Sequence, residues 1–150
     1  ILPALVSFIS IIFGGFLADF YIKRGIRVIL VRKFFNSIGF FGPALLLIIV
    51  PHISSIILIM ILLCSINLFI GLGAGGFGVN HADLAPKYTG SLVGISGSIG
   101  MIAAVISSYV AGQILFILGS WQYLFYVSSF FLIFGGGYYL LYASTSKQFD

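Results

Sequence analysis

The chain has 150 residues, 61% of them hydrophobic and 7% charged, with a formal net charge of +4 and a mean hydropathy of +1.23. A soluble domain carries about 25% charged residues. So little polar surface excludes a soluble enzyme, a disordered tail and a nucleic-acid-binding domain, and it points to the bilayer as the solvent.

A spanning helix needs roughly 20 apolar residues, so the length predicts about five spans and no extramembrane domain. The chain starts at Ile1 rather than Met, already inside an apolar run, and is expected to be a piece of a longer protein. No basic n-region or small-residue cleavage site marks a signal peptide. The single cysteine, Cys64, excludes an intrachain disulfide and says nothing of redox compartment.

The first span is predicted over about 1–18. It ends in Gly15-Phe16-Leu17-Ala18-Asp19, and Lys23-Arg24-Gly25 and Arg27 follow. This is the sharpest local signal in the chain: an acid at a helix end, then a basic hairpin. Asp19 could pair with Lys23, Arg24 or Arg27, or lie near the N-terminus of a neighbouring helix, where the dipole favours an anion. Such a contact at the cytoplasmic rim would hold one conformation closed and break in another. The plainer alternative is a topological anchor; the sequence reading favours the gate.

The loop is expected to run over 19–33 and to hold five cations, Arg32 and Lys33 included. The second span is predicted over about 34–50, bent or loosened by Gly39, Gly42 and Pro43 and stopped by Pro51-His52. The third is predicted over about 53–79. Its glycine run, Gly71-Leu72-Gly73-Ala74-Gly75-Gly76, fits GxGxxG by letter. The dinucleotide fingerprint needs a preceding strand and an acid about 20 residues on, and neither is present.

Asn80, His81 and Asp83 follow, at the cytoplasmic end of the third span and the start of a loop over 80–90 that carries Lys87. His81 titrates near neutral pH and could carry a coupling proton. The favoured reading is a wet loop that caps the helix end, because His81 falls at the membrane edge. These residues lack a third ligand for a metal. No nucleophile elbow supports a Ser-His-Asp hydrolase.

The fourth span is predicted over about 91–118, with small residues every four positions at Ser96, Gly100, Ala104, Ser108 and Gly112, a face that another helix can approach closely. Gly119-Ser120 breaks the run. The fifth span is predicted over about 121–143, with Trp121 and Tyr123 suited to the interfacial belt. Asn36, Ser37, Asn67 and Gln113 lie inside spans as candidate cavity lining, although an interhelical hydrogen bond is the favoured reading of each.

Basic loops alternate with the neutral turns near Pro51 and Gly119, as five antiparallel helices require. The positive-inside rule places loops 19–33 and 80–90 and the Lys147 tail in the cytoplasm.

Several motifs carry a resemblance. Gly15-x-Leu17-Ala18-Asp19 with its basic loop resembles the loop signature of the major facilitator superfamily. Val31-Arg32-Lys33-Phe34-Phe35-Asn36-x-x-Gly39-Phe40, Gly78-Val79-Asn80-His81-x-Asp83-x-Ala85-Pro86-Lys87-Tyr88, Leu92-x-Gly94-Ile95-Ser96, Trp121-Gln122-Tyr123-Leu124-Phe125 and Tyr142-Ala143-Ser144-x-x-Lys147-Gln148 are similar to the anion-transporter family that includes vesicular glutamate transporters, sialin and sodium–phosphate cotransporters. The resemblance covers nearly the whole chain in order. Ala82 and Leu84 stand where that family usually has Leu and Ile, and Ile29-Leu30 where small polar residues are common.

The resemblance implies an all-α membrane protein whose five transmembrane helices are equivalent to the last five helices of a twelve-helix fold. It implies an ion-coupled carrier of phosphate, glutamate or sialic acid type, with no enzymatic activity and no cofactor beyond a coupling proton or sodium ion. The implied partners are a small anionic solute, the lipid bilayer and the missing N-terminal helices of the same protein, which hold the family's main substrate arginines and buried acid. The implied location is a multi-pass position in a plasma, lysosomal or vesicular membrane. The alternative is a truncated helical bundle without transport of its own, acting as a structural or partner-binding element.

Overall fold

The computed structural model describes residues 1–144. α1 covers Leu2–Lys23, with Pro3 in its first turn, where a missing N–H costs nothing. It closes in a Schellman motif. Gly25, at φ +88°, donates its N–H to Ile22 O (2.9 Å), and Ile26 donates to Tyr21 O (3.3 Å). The left-handed Gly25 turns the chain within four residues, and α2 covers Val28–Ile49.

A 3-10 turn at Val50–His52 leads to α3, Ile56–Gly73. The chain then turns over residues 74–76 and resumes as α4, Phe77–Leu84. A 3-10 turn at Pro86–Tyr88 precedes α5, Thr89–Leu118. Gly119, at φ +64°, ends α5 with its N–H on Leu115 O (2.9 Å), and α6 covers Gln122–Tyr142. No strand occurs among the described residues, and α1, α2, α3, α5 and α6 are each long and apolar enough to cross a membrane.

Three expected boundaries move. The 19–33 loop shrinks to residues 24–27, because Asp19 and Lys23 complete α1 while Arg32 and Lys33 open α2. Long charged side chains near a helix end can reach polar surroundings without unwinding the backbone, so the uncharged run understates the helix. The third helix stops at Gly73 rather than 79, and Asn80, His81 and Asp83 ride a short separate helix, not a loop. Four glycines within residues 71–76 make that interruption inexpensive. By contrast, α2 stays helical through Pro43, which is buried within it. Lys147 and the end of its motif lie outside the described residues.

The contacts fix the helix directions. Gly71 faces Ser7 and Ser10, and Gly75 faces Gly14 and Ala18, so α1 and α3 run parallel. On α2, Gly39 meets Gly73 while Arg32 and Asn36 meet Gly76, so α2 and α3 are antiparallel. Ser129 Oγ donates to Ala44 O (2.8 Å), Gly136 packs on Phe40, and Lys33 reaches Leu140. α6 therefore runs antiparallel to α2.

α2 and α3 approach backbone to backbone at Gly39 and Gly73. A Cβ on Gly39 would sit 2.6 Å from the Cα of Gly73, and one on Gly73 would sit 2.8 Å from the Cα of Gly39. Backbones can touch this closely only where neither residue has a side chain.

α5 is different. None of its residues is buried, and nothing lies within 4 Å of a Cβ added at Gly100 or Gly112. Its small-residue face is present and unoccupied.

Candidate functional site

One end of the bundle gathers the polar chemistry. The C-terminal ends of α1, α3 and α6 meet there with the start of α2, and α4 crosses the same end. Helix ends leave carbonyls without intrahelical partners. At the break between α3 and α4, Arg32 supplies what is missing.

Arg32 Nη1 donates to Gly75 O at 2.8 Å in a buried contact, and Nε donates to Asp83 Oδ2 at 2.8 Å. The planar guanidinium can reach a carbonyl and a carboxylate at once, as a lysine ammonium on a flexible stem cannot hold them. Arg32 is 5% exposed. Next to it, Lys33 Nζ donates to Leu140 O at 2.7 Å, in the last turn of α6. Two successive cations of α2 thus cap the ends of two different helices.

The backbone around the ion pair is tight. A Cβ on Gly76 would stand 2.6 Å from Asn36 N and 2.7 Å from Arg32 O. Asn36 is fully buried, and neither atom of its amide finds a hydrogen-bond partner among the described residues. The same holds for Asn80 Oδ1, His81 Nδ1 and the Tyr139 hydroxyl. Tyr139 on α6 lies within the fields of both Arg32 and Asp83. A buried polar group without a partner costs about 1–3 kcal/mol. These unmatched atoms lie on α2, α4 and α6, the elements that Arg32, Lys33 and Asp83 tie together.

The residues expected from sequence fall into two sets. Asp83 is in the ion pair, Asn80 is buried beside it in sequence, and His81 is partly buried. Asp19, Lys23, Arg24 and Arg27 are all exposed, and among the described residues Asp19 pairs with none of these cations. The Arg24 guanidinium instead lies 4.3 Å from the Phe20 ring centroid.

Of the candidate cavity residues, Ser37 Oγ donates to Lys33 O (2.7 Å) and Asn67 Nδ2 to Leu63 O (2.9 Å). Both side-chain bonds stay within their own helix rather than bridging two. Gln113 is exposed on α5. No group of three or more metal-ligating side chains occurs among the described residues.

Sequence reasoning placed Arg32 in a loop and so missed its role. The signal was present: Arg32, Asn36, Gly39 and Pro43 recur at helical spacing, and all four are buried on one stripe of α2. At the opposite end of the bundle, Tyr126 Oη and His52 Nε2 are 3.1 Å apart and tie the α2–α3 turn to the start of α6.

No family model matches the chain. Curated proteins do. Over all of its 150 residues the chain is 35% identical to probable anion transporter 1, chloroplastic, of Oryza sativa subsp. japonica, and covers 28% of that protein. It is 33% identical over the same length to sodium-dependent phosphate transport protein 1, chloroplastic, of Arabidopsis thaliana, covering 29% of it. Over 113 residues, 74% of this chain, it is 40% identical to the human sodium-dependent phosphate transport protein 3, covering 26% of that protein. The chain therefore spans less than a third of the length of each. All three are named as transporters and none as an enzyme, in line with the sequence reading.

Proposed function

Because the chain belongs along its whole length to the anion-transporter family of these relatives, we propose that it forms the C-terminal part of an anion carrier of the major facilitator type, working by alternating access. The observation that carries this reading is the Arg32–Asp83 pair. It is an ion pair between two helices, with Arg32 buried and Asp83 partly exposed, at the end where every described Lys and Arg collects.

That end is the cytoplasmic one under the positive-inside rule, and α6 ends on the same side. In this conformation the pair holds α4 against α2 and seals the break after α3. A carrier that opens towards the cytoplasm must part these elements, so Arg32, Asp83 and the Asn80–His81 segment act as the cytoplasmic gate. The unmatched buried atoms at Asn36, Asn80, His81 and Tyr139 supply new partners when the gate rearranges. Asp19, Lys23, Arg24 and Arg27 form the outer rim of that gate.

The carried solute is a small anion of phosphate, glutamate or sialic acid type, driven by a proton or sodium gradient. No Lys or Arg sits deep in a described span, so the charge that compensates the solute comes from helices outside this chain.

Uptake of labelled phosphate, glutamate and sialic acid by the full-length protein in sealed vesicles tests the proposal, with proton and sodium gradients imposed in turn. One anion should accumulate and depend on one gradient. Accumulation of none under either gradient would replace the carrier with a structural bundle.

A further inference from the structure

Five cations lie within residues 23–33, and the structure engages two of them internally: Arg32 on Asp83 and Gly75, and Lys33 on Leu140. Arg24 and Arg27 are left exposed, and among the described residues no carboxylate or carbonyl accepts from either side chain. They bracket Gly25 and Ile26 on the connector. Ile26 and Tyr21, joined by the Schellman hydrogen bond, form one edge of an apolar groove that continues along Leu30, Val31, Phe34 and Phe35. The groove has a volume of about 390 Å³ and lies between the end of α1 and the start of α2.

The acid of this region does not compensate the two arginines. Asp19 faces a separate groove lined by Phe13, Phe16, Leu17, Phe20 and Lys23. The first turn of α2 adds no acid and no side-chain cap. Arg24 is held in place by its stack on Phe20. Arg24 and Arg27 thus flank Ile26 in sequence, and Ile26 opens an apolar slot that continues along Leu30 and Phe34 at the start of α2.

The geometry points to a binding site for an anionic phospholipid, with its phosphate between Arg24 and Arg27 and one acyl chain along the Ile26–Leu30–Phe34 groove. A zwitterionic lipid matches the slot and leaves the charge unanswered. A free anion matches the charge and leaves the apolar slot empty. The site does not depend on which anion the protein carries, or on transport at all.

The test is retention of added lipids by the purified full-length protein in detergent, read by native mass spectrometry. Phosphatidylglycerol should be retained over phosphatidylcholine. A basic residue near an anionic lipid surface contributes about 1 kcal/mol, or about fivefold. Arg27→Gln should therefore weaken phosphatidylglycerol about fivefold, and Arg24→Gln with Arg27→Gln about 25-fold. Lys87→Gln removes the same charge from an exposed turn that does not line the slot, and should leave retention unchanged. Leu30→Trp fills the slot and should weaken phosphatidylglycerol with both arginines intact.

Equal retention of the two lipids, or equal losses for Arg27→Gln and Lys87→Gln, would overturn the site. So would displacement of the lipid by glycerol phosphate at matched concentration, which would assign a free-anion site instead.

Discussion

The cations of residues 23–33 divide at the start of α2, and the two groups behave as different materials. Arg32 and Lys33 are drawn into the bundle, where each satisfies carbonyls at the end of another helix. Lys23, Arg24 and Arg27, a few residues earlier, stay exposed and bind no internal acceptor among the described residues. By sequence they form one basic cluster and serve one topological rule. The difference teaches that the count of loop Lys and Arg biases which way such a chain sits, while helical phase decides which charges hold it together.

That contrast can be broken by substitution. Asp83→Asn leaves Arg32 buried without its counter-charge, and removing one partner of such a pair costs about 3–5 kcal/mol when fully buried. Asp83 is partly exposed, at 22% of its side chain, so a loss of about 2–3 kcal/mol is expected here. Arg27→Gln, at an exposed site, should stay within about 0.5 kcal/mol. Thermal unfolding of the full-length protein in detergent separates them. Equal shifts in Tm would show that the two groups of cations do not differ.

A smaller effect sharpens the same contrast on the apolar side. Gly73→Ala would place a Cβ 2.8 Å from the Cα of Gly39, and overpacking of that kind costs about 1–3 kcal/mol. Gly100→Ala meets nothing within 4 Å and should be neutral or slightly stabilising in the same assay. A loss at Gly100 matching that at Gly73 would place an undescribed neighbour against α5.

Much of this architecture was legible in the sequence. The uncharged runs gave five helices, and Pro51 and Gly119 gave their turns, because the bilayer demands long apolar segments and these residues end them. The charged ends of the helices were less legible, since a run of apolar letters stops where the charges begin and the backbone does not. The break at Gly73 was hidden for the opposite reason: its glycines are as apolar by composition as the helix they interrupt.

The candidate site was legible in part. Asp83 was singled out as part of a capping loop with no ion-pair partner named, because Arg32 reads as loop until its phase with Asn36, Gly39 and Pro43 is followed. The small-residue pattern on α5 was as regular as any in the chain and engages nothing here. Spacing shows where a close contact is sterically open, while the neighbour has to be supplied by another part of the fold.

As a cytoplasmic gate, the Arg32–Asp83 contact must open for solute to pass. Replacing both residues by cysteine, on a background in which Cys64 and any other cysteine are removed, allows the two positions to be bridged by a short, cleavable bifunctional thiol reagent. Anion uptake by the full-length protein should stop while the bridge is intact and return once it is cleaved. Uptake that continues at the same rate through a fully bridged protein would contradict the gate.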